Sequence, residues 1–498
     1  MTQSGLMDTS GLRKEADSRR PAGETACPTN ARSKWWGRHS ACRSLFPRLA
    51  GTLFVAVLGC ATWLWAQGPP AAQTPADDEP IVVSTEHPRL LLRPSRLRLL
   101  RRERERKSPR WQQFHLFMVG HAAMPEPGFA KALYYEVAGD ADAGKEAIAF
   151  ALGPNADLRQ QALVYDWCQD LLSAAQKHDL ETHLVRGTAD MASNEAVAAV
   201  DARAMAAVAL YDHVEKIPRQ ELERVVRGWW TGKIVPELVA GRAAITRDDA
   251  YPLYEMMHVL RDNTTIDLRD FAGQFFKHFP TEHLVSYYPA PYEAPENDFY
   301  IGATRRTGEP SLRASALARA AELEMVAYDP NAADTQLLQG WLMHDKYLLR
   351  GAFGIPYEFL WANPYQPGLS YDHAPEVWHN ADFGRLFVRS EWDDAAEWFG
   401  YFDGAMQEFR NGAVKALDPA HPPATLLLHT AAVCFGRSSR KFRVTVDEGG
   451  SVFIVNLDPR HTYEVEVDDQ ELYEADTDLG GILELEVPVG KEVGVRIR

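Results

Sequence analysis

An all-helical block followed by an all-β block, in two segregated domains, is the fold class this sequence predicts. Three observations predict it. From Pro94 to Arg350 apolar residues recur at helical spacing, near ten helices in all, with no convincing strand run. Gly354 to Leu369, "GIPYEFLWANPYQPGL", is a Pro/Gly/aromatic connector. Beyond it come short runs that alternate apolar and polar residues, as half-buried strands do. Helices and strands kept apart along the chain argue against a mixed α/β sheet.

The chain opens with a leader, residues 1–66. Its stretch "LAGTLFVAVLGCATWLWA", Leu49 to Ala66, runs 18 residues without a charge, directly after a basic segment. That pattern is an export signal of bacterial type. It reads as cleaved after Ala66, as a lipobox ending at Cys60, or as an uncleaved membrane anchor, for which its length just suffices. All three place the body outside the cytoplasm: periplasmic, extracellular or attached to a membrane through this N-terminal segment. Residues 67–84 form a linker, with "QGPPAAQTPADDEP" as its Pro/Ala-rich tether.

The helical block, 85–370, begins after it. In "ALVYDWCQDLLSAAQKHDL" residues Val164, Trp167, Cys168, Leu171, Leu172 and Ala175 repeat at i, i+3, i+4, i+7, i+8 and i+11, a single one-sided helix. "DARAMAAVALYDHV" is Ala-rich, which suits close helix–helix contact, and "PRQELERVVRGWWTGKIVPELVAG" and "DTQLLQGWLMHDKYLL" add further helices. The β block, 371–498, holds "GRLFVRSEW", "EWFGYFDG", "ATLLLHTAAVCFG", "KFRVTVDEGGSVFIVNL", "TYEVEVDD" and "GILELEVPVGKEVGVRI", with "EGG" and "LGG" as turns.

Charge narrows the partners. The whole chain carries −16, but the first 66 residues hold nine basic and four acidic groups, so the remainder stands at −21. A body this acidic argues against nucleic-acid binding. It leaves room for an anionic glycan in a locally basic cleft. Three of the five cysteines lie in the leader, so Cys168 and Cys434 are expected as free, buried thiols.

No phosphate-binding loop, dinucleotide fingerprint, HExxH, CxxC or G-x-S-x-G elbow occurs in the body. His344, Asp345 and His373 lack metal-ligand spacing, so neither a metal nor a soluble cofactor is expected. The stretch "DDAYPLYEMMHVLRDN", Asp248 to Asn263, is chemically richer. If it is a helix, Tyr251, Tyr254, His258 and Arg261 fall at i, i+3, i+7 and i+10, within roughly 80° of arc. Leu253, Met256, Val259 and Leu260 point the other way, towards a core. The four polar side chains then line a cleft or form an exposed face.

"EHPRLLLRPSRLRLLRR", "ALVYDWCQDLL" and "FGRLFVRSEWDDAAEWFGYFDG", in this order and spacing, resemble the heparinase II/III-type polysaccharide lyases over about residue 85 to 498. The resemblance implies an N-terminal (α/α) toroid and a C-terminal antiparallel β-sandwich. It also implies β-elimination on an acidic, uronic-acid-containing polysaccharide. That chemistry needs a base at C5, an acid for the leaving oxygen, and neutralisation of the neighbouring carboxylate. Carried onto this chain, the resemblance implies Tyr254 as acid/base with Tyr251 as substitute and His258 as partner. Arg261, Asn194 and Arg203 become the carboxylate-binding groups.

Two departures support an alternative, a non-catalytic glycan-binding or cell-surface scaffold protein of the same fold. The region where the family carries Asn and His reads "SNEAVAAVDARAMAA", and no His-x-His-x-Asp-like run follows the "RSEW" strand. A hydrolase using an acidic pair such as Asp248 with Glu255 is a third expectation.

Overall fold

The computed structural model describes residues 80–294, 298–305, 308–345, 351–423, 425–447, 449–468 and 471–498. The expected leader and most of the linker lie outside them. Among the described residues no helix is long and apolar enough to cross a membrane.

The helical region runs α1 (Pro94–Glu105), α2 (Pro109–Val119), α3 (Pro127–Ala138), α4 (Ala141–Ala151), α5 (Leu158–Trp167), α6 (Ala174–Asp190) and α7 (Val197–Leu210). It continues with α8 (Ile217–Glu223), α9 (Val235–Val239), α10 (Ala250–Thr264), α11 (Gly273–Val285), α12 (Leu312–Tyr328), α13 (Ala333–His344) and α14 (Ile355–Trp361). A π-helical stretch, Arg224–Ile234, joins α8 to α9. The one helix expected across 162–180 is two. Cys168 leaves the helical backbone at φ −106° and ψ 21°. Ser173 then caps α6 in a reciprocal box with Gln176, and that Ser-x-x-Gln spacing was readable in the sequence. A short hairpin of β1 (Tyr292–Glu293) and β2 (Asp298–Phe299) interrupts the helical region, where no strand was expected.

Two helices form the centre. α7 buries nearly every residue, and its alanines let it pack closely against α5, α8 and α10. α10 lies between α7 and α12 and is buried on both sides, which reverses the expectation of an open polar face.

The C-terminal region is built from strands, as its alternation predicts, but in three sheets. The first is β3 (Val377–Asn380), β4 (Arg385–Arg389), β5 (Trp398–Phe402), β6 (Ala405–Arg410) and β7 (Ala413–Ala416), an antiparallel meander. The second orders β14 (Leu483–Glu486), β11 (Ser451–Val455), β9 (Ala431–Phe435) and β8 (Thr425–Leu427). The third orders β10 (Lys441–Val444), β15 (Val493–Ile497), β12 (Thr462–Val467) and β13 (Glu471–Asp476). Gly449 and Gly450, and Gly481, take positive φ, yet the connections that hold them lead from one sheet to another rather than closing the hairpins expected of "EGG" and "LGG".

β9 and β11 pair in parallel, the exception in otherwise antiparallel sheets. Their sequences, "AAVCF" and "SVFIV", are apolar almost throughout because both faces are covered. Ala432, Cys434, Val452 and Ile454 pack towards the third sheet. Ala431, Val433, Phe435, Phe453 and Val455 pack towards the first. The first sheet's other face, with Phe387, Trp398, Phe402 and Phe409, packs on Val285 at the end of α11 and on Tyr288 beyond it. Cys168 and Cys434 are free and buried.

Candidate functional site

The four polar side chains of α10 do not share an open cleft. Tyr251 donates to Glu255 Oε1 at 2.7 Å, and Arg159 bonds both Glu255 oxygens at 2.6 and 2.8 Å. Burial, then the Glu255 charge, holds the Tyr251 phenol well above its ordinary value. His258 is 1% exposed, and its Nε2–H donates to the Glu324 carbonyl at 3.1 Å. Its ring lies 4.6 Å from Trp361 and 4.9 Å from Tyr328, centroid to centroid. Burial, then Arg96 and Arg261, pushes this imidazole well below its usual value, so it is neutral and sealed. Arg261 donates to the Tyr328 carbonyl at 2.8 Å, and its Cζ lies over that ring, 3.5 Å from the centroid.

Arg203 and Asn194 form a separate network. Arg203 binds Glu221 at 2.7 Å and the Asn194 carbonyl at 2.6 Å, while Asn194 Oδ1 caps the Ala196 N–H at 3.1 Å. Arg203 therefore braces the turn before α7. The acidic pair Asp248 and Glu255 is not assembled either: Asp248 is exposed, and Glu255 is fully buried against Arg159.

Of the four α10 side chains, Tyr254 reaches a hollow. It lines a cleft of about 510 Å³ with Arg269, Lys277, Tyr328, Asp329 and Asp334. Phe279 stacks on it at 6.3 Å. Burial pushes its phenol upward, so it keeps its proton at neutral pH.

The larger cleft, about 750 Å³, lies between α11, the start of α12 and the first sheet. Its apolar wall is Phe279, Phe387 and Phe402, and its polar wall includes Arg247, Glu282, His283, Tyr288, Arg385 and Asp403. Thr246 and Asp249 close a capping box ahead of α10 and so fix Arg247 between them. Gly302 lets the Arg247 side chain through, since a Cβ there would sit 2.0 Å from Arg247 Nε. The guanidinium lies 4.3 Å over the Tyr287 ring, and its Nη1 donates to the His283 carbonyl and, at 2.7 Å, to Ser286 Oγ. Its Nη2 is buried without a hydrogen-bond partner, 3.8 Å from Glu322 Oε1.

Across the cleft, Glu282 accepts from Arg385 and, at 2.9 Å, from Asn380 Nδ2, and Arg385 Nη2 binds Asp403 at 2.8 Å. These contacts tie α11 to β3 and β4. Buried His283 lies 3.3 Å from Glu322 Oε1. Burial first, and Arg247 next, lowers its value to about 4. Tyr288, bonded to Gln407 at 2.7 Å, is pushed up to about 12 by burial. A neutral imidazole without exposed side chain and a phenol that holds its proton are poorly matched to proton transfer at neutral pH. The cleft is better built for recognition. A short window does not reveal it, because "RDDAY" reads equally as a helix cap; the nearest cue was Arg385 and Arg389 alternating with apolar residues in "RLFVR".

His87, Asp212 and His213 bring ligand atoms within 4.8 Å of one another. His87 Nδ1–H donates to Asp166 at 2.6 Å, which leaves Nε2 facing the group. Arg89 Nη2, however, lies 2.6 Å from that Nε2 and also binds Asp212, so a guanidinium fills the position a metal would take.

No family model matches the chain, and no curated protein matches it. Among solved structures it is similar to one titled "Glycoside hydrolase", with 12% identity and a TM-score of 0.29 over 75% of this chain and 71% of that one.

Proposed function

We propose that this protein holds an acidic saccharide in the cleft between α11, α12 and the first sheet, and that it binds the glycan without eliminating it. The observation that carries the reading is Arg247, a half-buried guanidinium at the cleft wall held in place by Ser286, the His283 carbonyl and the Tyr287 ring. A carboxylate placed there gains a charge-assisted hydrogen bond worth about 1.5–3 kcal/mol. Phe279, Phe387 and Phe402 offer apolar surface to sugar ring faces, and Ser311 and Ser315 line the same cleft. The (α/α) toroid and the extracytoplasmic location belong to the same proposal, resting on the motif order and the leader pattern.

The test is calorimetric titration with short uronate oligosaccharides. Arg247→Gln should weaken binding about tenfold to a hundredfold. Arg305→Gln on the exposed rim, which leaves the wall intact, should give a smaller loss. Unchanged affinity in both variants would refute the cleft.

Tyr254 favours a second reading, a working lyase in its own cleft beside Arg269 and Lys277. There, incubation with polyuronates should raise the ultraviolet absorbance of an unsaturated uronate, and Tyr254→Phe should abolish the rise. No rise in the wild type leaves the binding protein.

A further inference from the structure

We infer that α1 carries a second, extended contact for an anionic polysaccharide, outside both clefts described above; the choice of a glycan as polyanion rests on the acidic-saccharide reading. Residues 89–107, "RLLLRPSRLRLLRRERERK", hold nine basic and two acidic groups, a net +7 within a body of −21. Such a concentration in an acidic protein is a local field that draws anions.

The fold turns Arg89, Arg96 and Arg104 towards neighbouring elements and leaves others of these charges exposed along α1. Leu97, Leu100 and Glu103 turn inward, and α1 packs on α2 and α3. Arg93, Arg98, Arg101 and Arg102 are exposed. From Arg93 to Arg102 the helix rises about 14 Å, so the guanidinium groups form a ridge long enough for several sugar units.

At its N-terminal end the ridge opens into a hollow of about 370 Å³, lined by Arg89, Arg93, Arg98, Arg101 and His87 together with Glu86 and Asp262. The surface is thus concave at one end and linear along the rest. That shape suits a polymer with one unit seated and its neighbours trailing.

The commitments of these arginines differ. Arg93 pairs with Asp262 at 2.5 Å, and Arg101 donates to the Glu136 carbonyl at 3.0 Å. Arg98 and Arg102 have no ion-pair partner among the described residues. Guanidinium groups bind carboxylate or sulfate bidentately, which a lysine ridge would not. A bilayer is the less suited polyanion, because the apolar residues Leu97 and Leu100 face inward and the exposed side offers charge without apolar anchors.

The experiment compares full-length wild type with Arg98→Gln/Arg102→Gln and with the charge reversal Arg98→Glu/Arg102→Glu. Neither arginine has an ion-pair partner among the described residues, so both variants should fold with an unchanged Tm. Long-chain alginate, its tetrasaccharide and phosphatidylglycerol vesicles are the probes, each titrated at two salt concentrations.

The expected result is a polymer affinity lowered about tenfold in the neutral variant and further in the reversal, with a shallower salt dependence. Tetrasaccharide affinity should stay unchanged. Equal polymer affinity in all three proteins would overturn the inference. So would variants that lose vesicle adsorption while keeping alginate, since that makes α1 a lipid contact. A wild type that binds polymer through Arg98 and Arg102 but ignores the tetrasaccharide would sustain α1 and remove the cleft reading instead.

Discussion

Replacing Arg385 by methionine tests how firmly the helical region and the first sheet are joined. Arg385 is 7% exposed and serves two carboxylates: Glu282 on α11, and Asp403 after β5 through Nε at 3.2 Å and Nη2 at 2.8 Å. The Glu282 charge is the leading influence holding the guanidinium in its ionised form against burial. Methionine keeps the hydrophobic stem and removes the charge. Glu282, itself 7% exposed, then retains only the Asn380 hydrogen bond. Asp403 is more open and regains water, so most of the loss falls on Glu282. Stranding one buried carboxylate costs about 3–5 kcal/mol. Partial rehydration of Asp403 and the surviving Asn380 contact place the expectation near the lower end, about 3 kcal/mol. Urea unfolding followed by tryptophan fluorescence reads it as a lowered midpoint. The double variant with Glu282→Gln should recover about half, because the stranded charge is gone. A loss under about 1 kcal/mol, or strictly additive single and double variants, would show that this ion pair does not couple the two regions.

Two further outcomes follow from buried groups. Burial, opposed by Arg101, raises the Glu136 carboxyl from 4.5 to about 7, so the native state keeps its proton where the unfolded chain releases it. The stability it contributes is present below about pH 4.5 and lost as pH rises through about 7. The full displacement is worth about 3 kcal/mol, which partial hydration reduces to about 1–2. Glu136→Gln should therefore match wild type in urea at pH 4.5 and exceed it by about 1–2 kcal/mol at pH 8.5; equal midpoints at both pH values refute the shift. Phe453 is fully buried on β11, so Phe453→Ala should cost about 3–5 kcal/mol by differential scanning calorimetry and urea unfolding, and a loss below 1 would mean the two sheets close over the void.

The order of helices and strands was legible because burial imposes periods of 3.6 and 2, and those periods are local. What was not legible depended on partners far along the chain. The polar side of α10 reads as open in any short window, yet Tyr251 and Glu255 are satisfied by Arg159, 92 and 96 residues away. His258 is satisfied by a carbonyl 66 residues on. A helix face of polar groups can thus be core when other elements bring complementary groups to it. The larger cleft escaped for the same reason, since Glu282, Arg385 and Asp403 meet only after the sheet has formed against α11. The third sheet was hidden too, because alternation tells which side of a strand is wet but not which sheet it joins.

β9 and β11 answer to two cores at once, odd positions to one and even positions to the other. Adding or deleting a single residue in either strand would exchange the occupants of both interiors together, whereas a half-exposed strand would merely trade core for solvent. Divergent descendants of this chain should therefore vary freely in the connections around these strands while their length stays frozen, making this pair the natural ruler for aligning sequences too distant to compare otherwise.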